Sequence, residues 1–244
     1  MRRFNELRIA LMLLTRLPAG RIEGKAPELK DTQWAFPLIG LPIGLIAGLI
    51  ATAALAIGAS PATAGLLGIT ALGLVTGGLH HDGLADYADG MGGGRDRDHV
   101  MEIMRDSRIG SYGVLALGLA LALMGTSIAS YAPALLPAFV FTAIASRLIM
   151  LGVLILVPPA RTDGMGHMAG RQPLQVLLPG ALLSLATLPL IGWAAVWALL
   201  PMIATAWALS HIAKRRIGGQ TGDVLGAVQL ASETTGWIML SALL

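Results

Sequence analysis

The stretch FPLIGLPIGLIAGLIATAALAI, residues 36–57, contains no charged side chain. A helix needs about 20 predominantly apolar residues to cross the hydrocarbon core of a bilayer, so this stretch is long enough to span a membrane. Gly40, Gly44 and Gly48 recur within it at every fourth position. Small residues at that spacing let two helices in lipid approach closely. The stretch therefore predicts a membrane-spanning helix that packs through its glycine face.

The composition of the whole chain also indicates a membrane protein. Of the 244 residues, 55% are hydrophobic and only 13% are charged, about half the roughly 25% found in soluble domains. Cysteine is absent, which excludes disulfides, thiolate metal sites and cysteine nucleophiles. The net charge of +3 is explained by the positive-inside rule, without nucleic acid as a partner. We expect an all-α, polytopic membrane bundle, with 1–244 forming a single membrane-embedded domain.

Seven membrane spans are predicted: 36–57, 62–79, 114–130, 134–157, 174–190, 193–212 and 224–244. The fifth and sixth form one apolar run, which we divide at Pro189 and Gly192; without that division there would be six spans. All charged residues except Arg147 and Glu233 fall in the segments 1–33, 80–113, 158–173 and 213–223. Seven spans bring these four segments to one side, together with 16 of the 17 Lys and Arg residues. We therefore predict that this side is cytoplasmic and that the N-terminus lies there.

Residues 1–20 superficially resemble a secretory signal. Phe4, Leu7, Leu11 and Leu14 recur at helical spacing, and charged residues such as Glu6 interrupt the apolar run. This pattern favours an amphipathic helix on the cytoplasmic membrane interface over a cleaved signal.

The segment 77–113, GGLHHDGLADYADGMGGGRDRDHVMEIMRDSRIGSYG, carries seven of the 14 acidic residues. Asp82, Asp86 and Asp89 are spaced i, i+4, i+7, so they lie on one face of a helix. Carboxylates this close repel, and a divalent cation relieves the repulsion. Oxygen ligands without cysteine suit Mg²⁺ or Mn²⁺, and Mg²⁺ commonly binds through substrate phosphates as well. The alternative is a solvated acidic face. His80 is either a metal ligand or, as we favour, a group that contacts a hydrogen-bonding partner or phosphate.

The glycines at 92–94 predict a helix break, followed by a second helix over 96–107. Arg105 and Arg108 supply cations beside the acidic site, and Arg together with Mg²⁺ holds transferring phosphoryl groups in many enzymes. Such residues in this order favour an enzyme that acts on a phosphorylated substrate.

The segment IGGQTGDVLGA, residues 217–227, places Asp223 at the mouth of the last span. A carboxylate at that depth requires a partner or a metal. Gly219 allows close backbone approach, and Thr221 can cap a helix or bind a ligand oxygen. Arg147 and Glu233 lie inside spans, where ionisable residues are functional candidates, and they could pair with each other.

Together these motifs resemble the adenosylcobinamide-GDP ribazoletransferase (cobalamin synthase) family. The segment 77–113 is similar to the family's signature, TRLPAG at 15–20 and FPLIGLPIG at 36–44 to its opening, and GGQTGDVLGA at 218–227 to its closing motif. His81 departs from the family pattern, which has an apolar residue there, and the prolines at 158–159 replace a more aromatic, basic stretch.

The resemblance implies the final condensation of cobalamin biosynthesis. Adenosylcobinamide-GDP and α-ribazole, or its 5′-phosphate, would give adenosylcobalamin, or its 5′-phosphate, plus GMP, with Mg²⁺ required. On this basis we expect a metal site formed by Asp82, Asp86, Asp89 and Asp106. Asp106 or Asp223 would complete that site or accept the hydroxyl proton, and His80 would orient a ligand. Substrate phosphate or ribazole contacts are expected from Arg105, Arg108, Arg147, Arg161, Gly219 and Thr221.

Two other functions fit less well. A CDP-alcohol phosphatidyltransferase also clusters Asp and metal, but Asp86 stands where its pattern requires Arg. A cation transporter needs polar groups near the bilayer middle, and here nearly all lie on one rim. Expected partners are the two substrates, the lipid bilayer, and a second copy of the chain or other cobalamin-assembly enzymes. The expected location is the bacterial inner membrane.

Overall fold

The computed structural model describes residues 1–22, 24–131, 134–162, 170 and 172–243. Within them no strand occurs, as predicted, and one isolated bridge joins Pro159 to Gln220. Residues 163–169 and 171, which belong to the predicted charged segment 158–173, lie outside the described residues. The described helices are α1 (Arg2–Leu14), α2 (Leu29–Thr32), α3 (Phe36–Ala56), α4 (Pro61–Thr76), α5 (Leu79–Gly93), α6 (Arg97–Ile103), α7 (Ser111–Ser130), α8 (Leu135–Leu156), α9 (Leu178–Ile191), α10 (Trp193–Ile217) and α11 (Gly222–Ala242).

Several helix boundaries follow from local capping chemistry. The Ser60 hydroxyl accepts a hydrogen bond from a backbone N–H three residues on, at 3.2 Å, and Pro61 occupies the first turn of α4. Gly77 ends α4 with a φ of 63°, in the left-handed region that glycine adopts without steric cost. Asp96 and Thr221 cap α6 and α11 in the same way as Ser60.

The predicted glycine face of the first span is confirmed as a packing surface against α8. A Cβ on Gly40 would lie 2.6 Å from the carbonyl oxygen of Ala143, and one on Gly44 would lie 2.6 Å from that of Phe139. Both distances are well inside van der Waals contact. Only glycine therefore permits the observed approach of α3 and α8.

Helix α8 lies at the centre of the bundle. Of its most apolar window 78% is buried, against 17% for the stretch Leu174–Ile191. Phe139 of α8 packs edge-on against Trp237 of α11, with ring centroids 4.7 Å apart. Leu182 and Leu185 of α9 are exposed, as expected for side chains that face lipid.

Five helical stretches are long and apolar enough to cross a membrane, or six if α4 and α5 count as one broken span. Helices occupy all seven predicted positions, and the division at Gly192, which separates α9 from α10, is confirmed. Two of the helices at these seven positions do not qualify as membrane spans by themselves. Helix α4 has only 16 residues, and α11 contains Asp223, Gln229 and Glu233. The structure thus supports a multi-pass helical protein with five or six qualifying spans.

The chain turns by 90° between α4 and α5. The predicted span 62–79 therefore ends too late, because the helix stops at Thr76 and a new one begins at Leu79. Helix α5 therefore stands at right angles to the apolar α4. The predicted helix 96–107 is also shorter, because Asp106 accepts a hydrogen bond from the backbone N–H of Arg108 at 3.0 Å and stabilises a turn.

Helix α1 packs on the bundle through a mixed surface. Leu14 is buried as expected, but Phe4 is 61% exposed, so the predicted apolar stripe is not buried as one face. Glu6 is buried instead. Its carboxylate accepts a hydrogen bond from the Trp34 indole at 2.7 Å and pairs with Arg3 at 2.9 Å. These polar contacts fix α1 against the segment that precedes α3.

Candidate active site

Helices α5 and α11 cross at a contact between two glycines. A Cβ on Gly83 would lie 2.9 Å from the Cα of Gly226 and 3.0 Å from the carbonyl oxygen of Asp223. A larger residue would push the helices apart, whereas small residues allow such close crossings in membrane bundles. The contact sets the first turn of α5, which carries Asp82, against the first turn of α11, which carries Asp223.

A pocket of about 210 Å³, which we call the crossing pocket, lies at this contact. Its charged or titratable side chains are His80, Asp82 and Asp223, all from the α5–α11 crossing. The rest of its lining is apolar and comes mainly from α1, α3, α8 and α11, including Leu14, Phe36, Met150, Leu154 and Leu225. The crossing pocket is therefore polar where the two helices cross and apolar elsewhere.

Asp86 lies one turn after Asp82 on α5 and is half-buried. The pKa of Asp86 is raised to about 7, first by burial and then by the charges of Asp82, Asp223 and Asp89. The structure thus brings Asp82, Asp86 and Asp223 within electrostatic range of one another. A cation beside them would relieve this repulsion.

Asp89, the third predicted carboxylate, holds the start of α7. Its side chain is buried, and its two oxygens accept hydrogen bonds from the backbone N–H groups of Gly110 at 2.7 Å and Gly113 at 2.9 Å. A carboxylate at a helix N-terminus satisfies otherwise unpaired N–H groups and complements the helix dipole. These contacts give Asp89 a structural role next to Asp82, Asp86 and Asp223.

Asp106 and Arg108, both predicted site residues, pair with each other. The Arg108 guanidinium donates to both Asp106 oxygens, with the shortest distance 2.6 Å. These hydrogen bonds lower the pKa of the Asp106 carboxyl to about 2. Neither residue lines the crossing pocket, and Asp106 is not among the charges that raise the pKa of Asp86.

Two paired loops position Arg161 beside Asp223. The N–H of Ala160 donates to the carbonyl of Gln220, and the N–H of Gln220 donates to the carbonyl of Pro158, both at 2.8 Å. A Cβ at Gly219 would overlap the Pro158 carbonyl, so glycine is required at that position. The pairing places the Arg161 guanidinium 3.2 Å from an Asp223 oxygen.

Thr221 has the capping role that its sequence context allowed. Its hydroxyl accepts a hydrogen bond from the backbone N–H of Val224 at 3.3 Å, at the start of α11. The same hydroxyl donates to Asp223 at 3.2 Å. Thr221 and Arg161 therefore orient Asp223 from two sides.

An arginine-lined cleft of about 540 Å³ lies on the Arg161 side of this ion pair. Arg97, Arg105 and Arg161 line it together with Asp98 and Glu102. Arg97 donates to the carbonyls of Ile217 at 3.0 Å and Ala160 at 2.9 Å, which ties α6 to the paired loops. No sequence pattern pointed to Arg97, because its partners are backbone atoms distant in the chain.

His80 stands between the crossing pocket and a second, much smaller cavity inside the bundle. Arg147, Gln229 and Glu233 also line that small cavity. Gln229 donates to Glu233 at 2.7 Å, and Arg147 donates to the carbonyl of Ala143 at 2.9 Å. Arg147 is buried and does not line the crossing pocket, so the structure places it behind His80.

The predicted metal ligands are thus divided in the structure. In the described part of the chain, no group of three or more His, Asp or Glu side chains is close enough to hold an ion. Asp89 caps α7 and Asp106 pairs with Arg108, whereas Asp82 and Asp86 remain near Asp223. Mg²⁺ commonly binds through one or two carboxylates, several waters and substrate phosphates, so these oxygen donors suit it chemically.

Carboxylates that can hold a metal ion, together with arginines, are typical of enzymes that act on phosphorylated substrates. Comparison with known families matches residues 6–241 to the cobalamin-5-phosphate synthase family. The chain belongs to this family, as its motifs predicted.

Curated relatives cover almost the whole chain. The adenosylcobinamide-GDP ribazoletransferase of Bradyrhizobium diazoefficiens is 41% identical over 93% of this chain and 90% of its own. That of Mesorhizobium japonicum is 36% identical over 98% and 94%, and that of Azorhizobium caulinodans is 42% identical over 89% and 87%. No solved structure gave a significant match.

Proposed function

We propose that this protein is an adenosylcobinamide-GDP ribazoletransferase. It condenses adenosylcobinamide-GDP with α-ribazole, or its 5′-phosphate, to give adenosylcobalamin, or its 5′-phosphate, plus GMP. Relatives of that name, alike over nearly the full length, support the reaction. The structural observation that carries the assignment is the glycine contact that sets Asp82 against Asp223, with Arg161 beside them. A phosphatidyltransferase or a transporter has no support from these relatives.

The reaction exchanges a phosphoanhydride bond of the diphosphate for a phosphate ester bond. A ribose hydroxyl oxygen of the ribazole bonds to the phosphorus nearer the cobinamide. The bond from that phosphorus to the bridging oxygen breaks, and GMP leaves with that oxygen and the bonding electron pair. The hydroxyl proton passes to a base, for which we assign Asp223 rather than Asp106, because Asp223 lines the crossing pocket and Asp106 does not.

Asp82 and Asp86 are the residues that would hold Mg²⁺, or Mn²⁺ in its place. Bound there, the ion would neutralise charge on the diphosphate. Arg161 and Arg105 line the arginine-lined cleft, where their guanidinium groups would contact phosphate oxygens. Arg161 also keeps Asp223 oriented through their ion pair.

We further propose seven membrane spans, with the N-terminus and the active site on the cytoplasmic side of the bacterial inner membrane. The support is the concentration of Lys and Arg in the segments on one side of the seven predicted spans. Helix α4 would then cross as a short span, and α11 would cross with its polar residues facing the bundle interior, where Gln229 and Glu233 are buried.

The decisive experiment is GMP release by the full-length protein in lipid nanodiscs, supplied with adenosylcobinamide-GDP, α-ribazole and Mg²⁺. Wild type should release one GMP for each cobalamin formed, and Asp82→Asn should abolish release. Asp31→Asn is the matched control, because Asp31 forms an exposed pair with Arg2 and does not line the crossing pocket. No GMP from wild type with either acceptor would defeat the proposal, and near-normal turnover by Asp82→Asn would remove Asp82 from the mechanism.

A further inference from the structure

The crossing pocket has a lining that the phosphate chemistry does not explain. Catalysis at a diphosphate needs carboxylates and cations, which the α5–α11 crossing and the arginine-lined cleft already provide. Yet most of the crossing pocket is formed by buried or half-buried apolar side chains, among them Leu14, Phe36, Met150 and Leu154. Four helices that are distant in the chain contribute to this apolar wall. An occupant must therefore be apolar over most of its surface and polar at one end.

The charged end of the pocket limits the occupant further. His80, Asp82 and Asp223 offer acceptors and a possible donor at the crossing, and Asp223 is only 25% exposed. A hydroxyl group meets this requirement because it can donate a hydrogen bond to a carboxylate. A phosphate with no cation beside it does not, because two carboxylates would repel it.

We propose that the crossing pocket binds the flat, apolar base of α-ribazole and directs its ribose hydroxyl toward Asp82 and Asp223. The inference rests on the proposed transferase function, and it assigns one of the two substrates to this pocket. A nucleoside of this kind has the same division as the pocket, with an aromatic bicycle at one end and hydroxyls at the other. Phe36 supplies an aromatic ring in the wall for edge or offset contact with that bicycle.

The other substrate fits this space poorly. About 210 Å³ accommodates a bicyclic base but not a corrinoid macrocycle. Guanine would place several hydrogen-bonding groups against leucine and methionine side chains, which costs free energy for each unpaired group. The arginine-lined cleft, at about 540 Å³ with acidic and basic side chains, suits a nucleotide diphosphate better.

The two cavities are joined by the ion pair between Asp223 and Arg161. Asp223 lines the crossing pocket and Arg161 lines the arginine-lined cleft. The hydroxyl of a base-bound ribazole and the phosphates of a cleft-bound nucleotide would thus approach the same pair from different sides. This arrangement also explains the use of α1 and membrane-spanning helices in an enzyme for such substrates, because they provide the apolar wall.

The test fills the pocket at Leu225, which lines it from α11. Leu225→Trp should raise the KM for α-ribazole by at least about tenfold, the scale of steric discrimination in apolar pockets. The KM for adenosylcobinamide-GDP should change less than about twofold. Leu182→Trp is the matched control, because Leu182 is exposed on α9, and both KM values should stay at wild-type levels.

A second measurement covers a variant that loses all turnover. In equilibrium dialysis, Leu225→Trp should bind α-ribazole most weakly, and the milder Leu225→Phe should bind it with an affinity between those of Leu225→Trp and wild type. Both variants should retain binding of adenosylcobinamide-GDP. Unchanged affinity or KM for α-ribazole would overturn the pocket assignment while wild-type GMP release still upheld the transferase function. That result is also expected if a lipid chain occupies the pocket. Absence of GMP release by wild type would instead defeat the function itself.

Discussion

Replacing Gly83 with alanine tests whether the α5–α11 crossing sets the geometry of catalysis. The added Cβ would lie 2.9 Å from the Cα of Gly226, whereas carbon atoms make contact at about 3.5–4.0 Å, so the helices must separate by roughly 1 Å. Because Asp82 and Asp223 sit on opposite sides of this crossing, their separation changes too. Misplacement by about 1 Å can lower catalysis by about 10²-fold, and we expect a loss of kcat of that order. Overpacking should also cost about 1–3 kcal/mol of stability.

GMP release and thermal unfolding, monitored by tryptophan fluorescence, separate these two effects. Gly118→Ala is the neutral control, because no atom lies within 4 Å of the added Cβ. Gly44→Ala is the structural control, because its Cβ would overlap the α8 backbone, away from the carboxylates. We expect Gly44→Ala to lower the unfolding temperature while folded protein keeps its kcat. Wild-type kcat in Gly83→Ala, or an equal loss of kcat in Gly44→Ala, would refute the reasoning.

Four further predictions concern the carboxylates and the buried charges of Arg147 and Glu233. Asp89→Ala leaves two backbone N–H groups at the start of α7 unpaired, so it should cost about 1–3 kcal/mol per unsatisfied group in thermal or denaturant unfolding. The Mg²⁺ concentration for half-maximal rate should rise in Asp86→Asn but not in Asp89→Asn. The raised pKa of Asp86, about 7, means that the folded state binds this proton more tightly than the unfolded state. The stability contribution of Asp86 should therefore fall as pH rises from about 4 to 7 in EDTA, and Asp86→Asn or added Mg²⁺ should flatten the dependence of the unfolding temperature on pH. Arg147 and Glu233 attract each other in the bundle interior, so Arg147→Met should destabilise by about 3–5 kcal/mol, and adding Glu233→Gln should recover part of that loss.

Each of these expectations has a result that contradicts it. A higher Mg²⁺ requirement in Asp89→Asn with unchanged stability would return Asp89 to the metal site. An unfolding temperature that is equally dependent on pH in wild type and Asp86→Asn would show that Asp86 does not titrate in this range. A double variant of Arg147 and Glu233 that is no more stable than Arg147→Met would show that the two charges do not compensate each other.

Much of the architecture could be predicted from local patterns in the sequence. The glycines of the first span predicted its packing face, and Gly192 marked the division between α9 and α10. Gly222 and Gly226 have the same four-residue spacing at the start of α11. This spacing could have indicated the close α5–α11 crossing. The end of the second span at Thr76 was missed, because a 90° turn through two glycines leaves the hydropathy profile nearly unchanged.

The roles of the individual carboxylates could not be predicted from local sequence patterns. Helical spacing placed Asp82, Asp86 and Asp89 on one face of α5, and that face meets different neighbours along its length. At Asp82 the neighbour is Asp223, from a segment far away in the chain. At Asp89 it is the N-terminus of α7, whose N–H groups take both carboxylate oxygens. Asp106 is close to the motif in sequence, but its local turn directs it to Arg108.

The sequence by itself determined that the protein is a helical membrane protein of the cobalamin-5-phosphate synthase family with an acidic site, because apolar length, charge placement and motifs are local properties of the chain. Only the tertiary structure decided which charges meet. It joined Asp82 to Asp223 through a contact of two glycines, placed Arg161 by pairing two loops, and formed an apolar pocket beside them. These contacts depend on how helices distant in sequence cross. The crossing is set by side-chain volume at the interface between helices, which no single segment contains.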